Sequence, residues 1–332
     1  MKILNSLEGY IDTYNPWKNT YALFRSLLGF STLLVLLFNS TDILFSYSAN
    51  NVTCENVYIP TAFCFAKEYS INFEIIRYLM IFILTLVVIG WRPRFTGLFH
   101  WYICYSIQTS ALTIDGGEQI ATVLSFLILP VTLLDSRRNH WNIKKNNNES
   151  FTKKTVLFYI MTIIKIQVFI IYLNAALERL KNKEWAEGTA IYYFFSDPVF
   201  GLPEYQLNLL NPLLESNFIV VITWLVTIFE LFLAASIISN IRIKRIALVL
   251  GILFHIGIIF SIGIVSFGLI MISALIIYLH PVQQNITMNW CSPLFKYIYV
   301  KGKRNFKRIG GESVKYLTKL FHSKHLDNGE IT

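Results

Sequence analysis

The stretch Ile246–His280, IALVLGILFHIGIIFSIGIVSFGLIMISALIIYLH, decides the fold. It runs 35 residues without an acidic side chain, a lysine or an arginine. The hydrocarbon core of a bilayer is crossed by about 20 apolar helical residues, so this run is too long for one span. Gly257, Ser261, Gly263, Ser266 and Gly268 lie in it and suit a tight helical hairpin, with spans at 246–261 and 264–280.

Working outward, six more apolar runs of similar length occur at about 22–45, 73–90, 96–113, 118–134, 156–177 and 218–239. Of the 332 residues, 54% are hydrophobic and 15% charged. A soluble domain carries roughly 25% charged residues, so most of the apolar surface must face lipid. The expected fold is an all-α integral membrane protein, a bundle of about eight transmembrane helices. It would comprise a polytopic domain, 1–295, and a basic tail, 296–332, in which Val314, Leu317, Leu320 and Phe321 share one face of a surface-lying helix. The first span follows Lys18 and Arg25 and stays apolar too long for a cleavable signal segment, so it reads as a retained helix.

Charge placement sets the orientation. Arg92 and Arg94, the set Arg137, Arg138, Lys144, Lys145, Lys153 and Lys154, then Arg242, Lys244 and Arg245, and the tail after Lys296 all fall on one side. The alternate loops hold Glu55, Glu68, Asp115, Glu184, Glu187, Asp197, Glu204 and Glu215. The positive-inside rule then places both termini in the cytoplasm of a cell whose plasma membrane the chain crosses repeatedly. The net charge of +9 reads as topology and contact with anionic membrane lipids, since no nucleic-acid-binding pattern accompanies it. Residues 180–217 form the longest outer segment and carry Trp185, Tyr192, Tyr193, Phe194, Phe195, Phe200 and Tyr205, which suits a segment lying on the membrane or folding over the bundle.

Four cysteines are too few for a disulfide scaffold, but Cys54 and Cys64 share the first outer loop and pair if that compartment is oxidising. Cys104 reads as packing and Cys291 as a free thiol, and no spacing suggests a metal site.

Polar residues inside apolar runs are expensive unless function or a partner retains them. Lys165 lies near the middle of the fifth run and Glu230 near the middle of the sixth; at matching depth they would pair, as a structural bridge or as a buried acid–base site. Lys165, Tyr172 and Arg179 recur every seven residues, nearly two helical turns, so they share one stripe, with Gln167 close by. Asp115 and Glu118 flank Gly116-Gly117 between two runs, a pattern fit either for acid–base work or for helix capping. His100 and His255 are single histidines that would hydrogen-bond a neighbouring helix. The run Asp135, Arg137, Arg138, His140, Trp141 reads as an interface anchor. Zinc-protease, P-loop and nucleophile-elbow signatures are absent from the sequence.

Two stretches carry a family resemblance. One is Asp115-Gly-Gly-Glu-Gln119, an apolar span, then Leu134-Asp135-Ser-Arg-Arg-Asn-His140-Trp141; the other runs from Lys165-Ile-Gln167 through Tyr172, Ala175 and Leu177-Glu-Arg179-Leu180 to Trp185, Gly188, Thr189 and Ala190. With Phe254-His255, Phe267 and Met271, they resemble the HTTM family, whose membrane domain is shared with vitamin K-dependent γ-glutamyl carboxylase. The size, the basic tail and the opening Met1-Lys-Ile-Leu-Asn5 look most like the branch of that family that acts with an SdpA-like partner in maturing a secreted peptide toxin.

The resemblance implies that this chain, with such a partner, receives an exported toxin precursor at an outer mouth built from Asp115, Glu118, Arg179 and Trp185. Lys165, Arg179, Glu118, Asp115, Glu230 and His140 become candidate catalytic residues, and Tyr172, Gln167, Trp185 and His255 candidate substrate contacts. Carboxylase-like members carry a lysine base where alignment on Tyr172, Ala175, Leu180 and Trp185 puts Arg179. A guanidinium does not give up its proton at neutral pH, so quinone-driven carboxylation is disfavoured and no cofactor is expected. Two rival readings remain: a lipid-quinone-dependent carboxylase or oxidoreductase with Lys165 as substitute base, and a non-catalytic toxin-binding scaffold.

Overall fold

A computed structural model describes residues 2–46, 52, 54, 58–112, 115–142, 149–198 and 201–287. All regular structure among these residues is helical: α1 (Lys2–Asp12), α2 (Asn19–Phe38), α3 (Thr41–Leu44), α4 (Ala62–Glu68), α5 (Phe73–Val88), α6 (Pro93–Ser110) and α7 (Gly116–Leu134) in the first half. The second half holds α8 (Phe151–Lys181), α9 (Lys183–Glu187), α10 (Ala190–Ser196), α11 (Glu204–Leu214), α12 (Phe218–Ala235), α13 (Ile241–Ile262) and α14 (Val265–Leu279). The expected tail helix, Trp290, Cys291 and the loop Asn146–Asn148 lie outside the described residues.

Each of the eight apolar runs is a helix. Five of them, α2, α7, α8, the α12 segment to Ile238 and α13, are long and apolar enough to cross a membrane. The shortest of the eight, α14, has 15 residues and extends about 22 Å at 1.5 Å per residue. It is apolar on every face and accordingly sits in the middle, packed on α2, α7, α8 and α13 with nearly its whole length buried. The predicted hairpin joins it to α13: Gly263 turns with φ +81°, its N–H bonded to the Ile259 carbonyl at 3.1 Å, and Gly268 leaves room for the Ile259 side chain.

Where the end of α2, the start of α5 and the end of α6 meet, described residues of the connection between α2 and α5 pack inward. Phe45, Phe63 and Phe73 form a triad of edge-on rings with centroids 4.7–5.7 Å apart, over a core that includes Leu36, Leu84 and Ile107. Cys54 and Cys64 are joined in a disulfide beside it, as their shared loop suggested.

The opposite end is held by a buried polar brace. Gly90 follows α5 with φ +86°, accepts from the His140 N–H at 3.0 Å and leads into an antiparallel bridge between Trp91 and Asn139. Arg25 Nη1 donates to His140 Nδ1 at 3.0 Å, which assigns the ring proton to Nε2; that nitrogen donates to Ser26 Oγ at 3.1 Å, and the hydroxyl donates to the Val88 carbonyl at 2.7 Å. Arg25 Nη2 also reaches Thr96 Oγ1 at 2.7 Å. Asp135 clamps Arg137 through two hydrogen bonds of 2.8 and 2.7 Å, and the same guanidinium lies over the Trp17 ring.

Within the run from Asp135 to Trp141, read as an interface anchor, Asp135 and His140 are instead buried, at 1% and 0% exposure, and His140 joins α2 to the turn after α5, while Trp141 is exposed. Burial, then Arg25 and Arg137, push the His140 pKa down to about 2.

Two predictions follow from this brace. Gly90→Ala places a methyl on the His140 ring and forces a left-handed backbone, and should cost about 2 to 4 kcal/mol in thermal unfolding of the solubilised protein, while Gly257→Ala, whose methyl meets nothing, should leave the midpoint unchanged. The second concerns pH. His140 has a pKa below that of an unfolded histidine, so the unfolded chain takes up a proton first; stability is fully present above about pH 6.5 and is lost as pH falls below it, by about 2 kcal/mol at pH 5. His140→Gln should be less stable at pH 7.5 and lose less between pH 7.5 and 5; an unchanged pH slope refutes this account.

Candidate functional site

Seven-residue spacing keeps Lys165, Tyr172 and Arg179 on one inward stripe of α8, and the structure retains that stripe. It does not retain the expected pair. Glu230 Oε2 meets Arg179 Nη1 at 2.6 Å, and Lys165 lies about 21 Å down the helix axis at roughly 1.5 Å per residue, beyond reach of the same carboxylate. The expectation failed because Glu230 is level with the last turn of α8, at Arg179, whereas Lys165 lies at the middle of that 31-residue helix. Lys165 instead faces Lys244, in the first turn of α13, and His280 at the end of α14.

Arg179, paired with Glu230, lines a cavity of about 620 Å³ between α8, α12 and the α13–α14 hairpin. Glu230 is 5% exposed, and a carboxylate so placed demands a counter-charge. Trp185, from α9, lies with its ring centroid 4.4 Å from the Arg179 guanidinium carbon, so the cation is held by a carboxylate on one side and an indole face on another. Ile191, Phe194 and Phe195 of α10 line the cavity, so part of the aromatic segment 180–217 folds against the bundle. Phe254, Ile258 and Phe267 supply the facing wall. The chamber is apolar with one fixed cation at its margin, the form that receives an amphipathic ligand with an anionic or carbonyl end.

Of the remaining candidates, Tyr172 and His255 lie next to it and the others do not. Tyr172 is 1% exposed and bonds His255 Nε2 through its hydroxyl at 2.9 Å, linking α8 to α13 beneath the cavity and giving His255 the interhelical partner expected of it. Gln167 lines neither this cavity nor the one around Lys165. Asp115 caps α7 by accepting from the Gly117 N–H at 2.7 Å and also accepts from Ser266 Oγ at 2.6 Å, so the capping role is the one the geometry uses. Glu118 is 3% exposed beside Asp115.

Neither acid lines the Arg179 cavity. Phe267 stands between them, its Cα against Gly117 and its ring 6.0 Å from His255, so the single outer mouth expected from Asp115, Glu118, Arg179 and Trp185 is two separate places. His140 lies at the other end of α7 from Glu118, within the brace. The wall residues of α12 and α13 carried no sequence signal, because an apolar side chain facing a cavity looks the same as one facing lipid; only the aromatic excess of residues 180–217 pointed to the α10 lining.

An HTTM domain matches residues 16–282. The chain belongs to the HTTM family. Among HTTM relatives, the sporulation-delaying protein SdpB of Bacillus subtilis (strain 168) is 99% identical over 323 residues, 97% of this chain and 100% of that protein. The uncharacterized protein YitO of the same organism is 35% identical over 286 residues, 84% of this chain and 91% of its own length. No solved structure matches. With the family shown, the apolar helices are those of a multi-pass membrane domain.

Glu230→Ala should destabilise this HTTM domain by about 3 kcal/mol, because it strands a guanidinium that keeps only partial access to solvent. Replacing both partners, Arg179→Met with Glu230→Leu, should retain most of the lost stability; a double variant no better than Glu230→Ala removes the ion pair as the reason.

Proposed function

We propose that the chain is a plasma-membrane component of the maturation of a secreted peptide toxin of the sporulation-delaying type, acting with an SdpA-like partner. In this reading eight helices span the membrane, both termini are cytoplasmic, and the Arg179 cavity opens toward the outside. The cavity carries the proposal: a chamber of about 620 Å³ with aromatic and aliphatic walls receives an apolar peptide segment, and the guanidinium of Arg179 donates to a carboxylate or backbone carbonyl at its edge. Glu230 and Trp185 hold that guanidinium in place. The near-identity to a protein named sporulation-delaying protein SdpB supports the pathway.

Arg179 binds and orients; a guanidinium holds its proton permanently and cannot serve as a base. The alternative reading as a quinone-dependent carboxylase needs a base at this position and finds a cation. Lys165, once its substitute, opens into a different cavity.

The test is expression of the chain with its partner and precursor genes, followed by mass spectrometry of the secreted peptide. Since Arg179→Ala alone strands Glu230, the informative variant is Arg179→Met with Glu230→Leu, which should reduce mature peptide at least about tenfold, the worth of one charge-assisted hydrogen bond. Normal maturation by this folded variant sinks the cavity reading. A peptide heavier by the mass of CO2 establishes carboxylation instead, and a peptide sequestered unchanged establishes the scaffold.

A further inference from the structure

The second cavity, about 370 Å³, lies where the start of α13 and the end of α14 meet α8 and the α1–α2 corner. Lys165 and Lys244 both line it, close enough to repel one another, and no acidic residue lines it. Among the described residues neither lysine has a carboxylate partner, whereas Arg179 is matched by Glu230 and Arg77 by Glu74, and Arg25 donates to neutral acceptors. His280 adds a third nitrogen-bearing side chain, with Lys165 and Arg245 in charge range of it. Lys244 sits in the first turn of a 22-residue helix, whose amino end adds partial positive charge. The rest of the wall is aromatic and apolar, from Tyr10, Tyr14, Phe158 and Met161.

Two like charges held together without a counter-ion raise the energy of the fold, and an anion that enters relieves it. We propose that this cavity binds a phosphate-bearing anion, with Lys165 and Lys244 as its counter-charges. Lysine suits the role as a compact, strongly charged donor to phosphate. A phosphate with a glycerol-sized substituent fits the volume, and the apolar rim lies along the path of an acyl chain, so the anion is either an anionic lipid headgroup or a soluble phosphate. The inference is independent of the toxin reading, since the two cavities share no lining residue.

The full chain, purified in neutral detergent, is titrated with phosphatidylglycerol, with phosphatidylcholine and with inorganic phosphate, reading both the thermal midpoint and retained ligand by native mass spectrometry. Phosphatidylglycerol should bind and raise the midpoint, with phosphatidylcholine inert. If inorganic phosphate matches it and displaces it, the site serves a free anion; if inorganic phosphate is inert, it serves the lipid. Lys165→Met and Lys244→Gln should each weaken binding about tenfold, while Arg138→Gln, basic but outside the cavity, should bind as the parent does. The single variants also guard against misfolding of the double one, and removal of mutual repulsion should leave their unliganded midpoints equal to or above the parent's. Equal binding by parent and both lysine variants, or no response to either phosphate, overturns the proposal.

Discussion

A polar group between apolar helices has no water to fall back on, and this constraint organises the whole bundle. Arg25 is fully buried near one end of α2, and it persists there because Thr96 and His140 accept from it while the His140 Nε2–H donates to the Ser26 hydroxyl. That chain pins the α7 exit to the turn at Gly90 and so sets the relative height of α2, α5, α6 and α7. Tyr172–His255 and Arg179–Glu230 apply the same rule between α8, α12 and α13. Apolar packing alone is poorly selective among helix registers in lipid, and these few polar contacts supply the selection.

The apolar runs were legible because their length has no other soluble explanation. The hairpin at Gly263 was legible because a 35-residue run must turn and only glycine adopts that backbone easily. Depth was not legible. Lys165 and Glu230 looked level because each lay near the middle of an apolar window, yet Glu230 meets the last turn of α8 and not its middle. The stripe survived this error because helical periodicity does not depend on where the membrane begins. Asp115 and Glu118 read as a working pair because nothing in one dimension reveals that Phe267 is interposed.

Arg179 and Lys165 show how one helix face can carry two chemistries. A planar, permanently charged guanidinium braced by Glu230 and Trp185 is a rigid donor, fit to orient a ligand. A flexible ammonium facing another ammonium waits for an anion. Exchange of either residue for the other would not be conservative, since neither surroundings suit the other head group.

The burial of α14 bears on how the chain is made. It is the last of the eight apolar helices to leave the ribosome, yet it occupies the axis around which α2, α7, α8 and α13 gather. The earlier helices must therefore enter the bilayer around a vacant centre and close only when the hairpin partner of α13 arrives. Messages cut short before Val265 would yield inserted but hollow proteins, natural prey for membrane quality control, whatever the integrity of the outer helices.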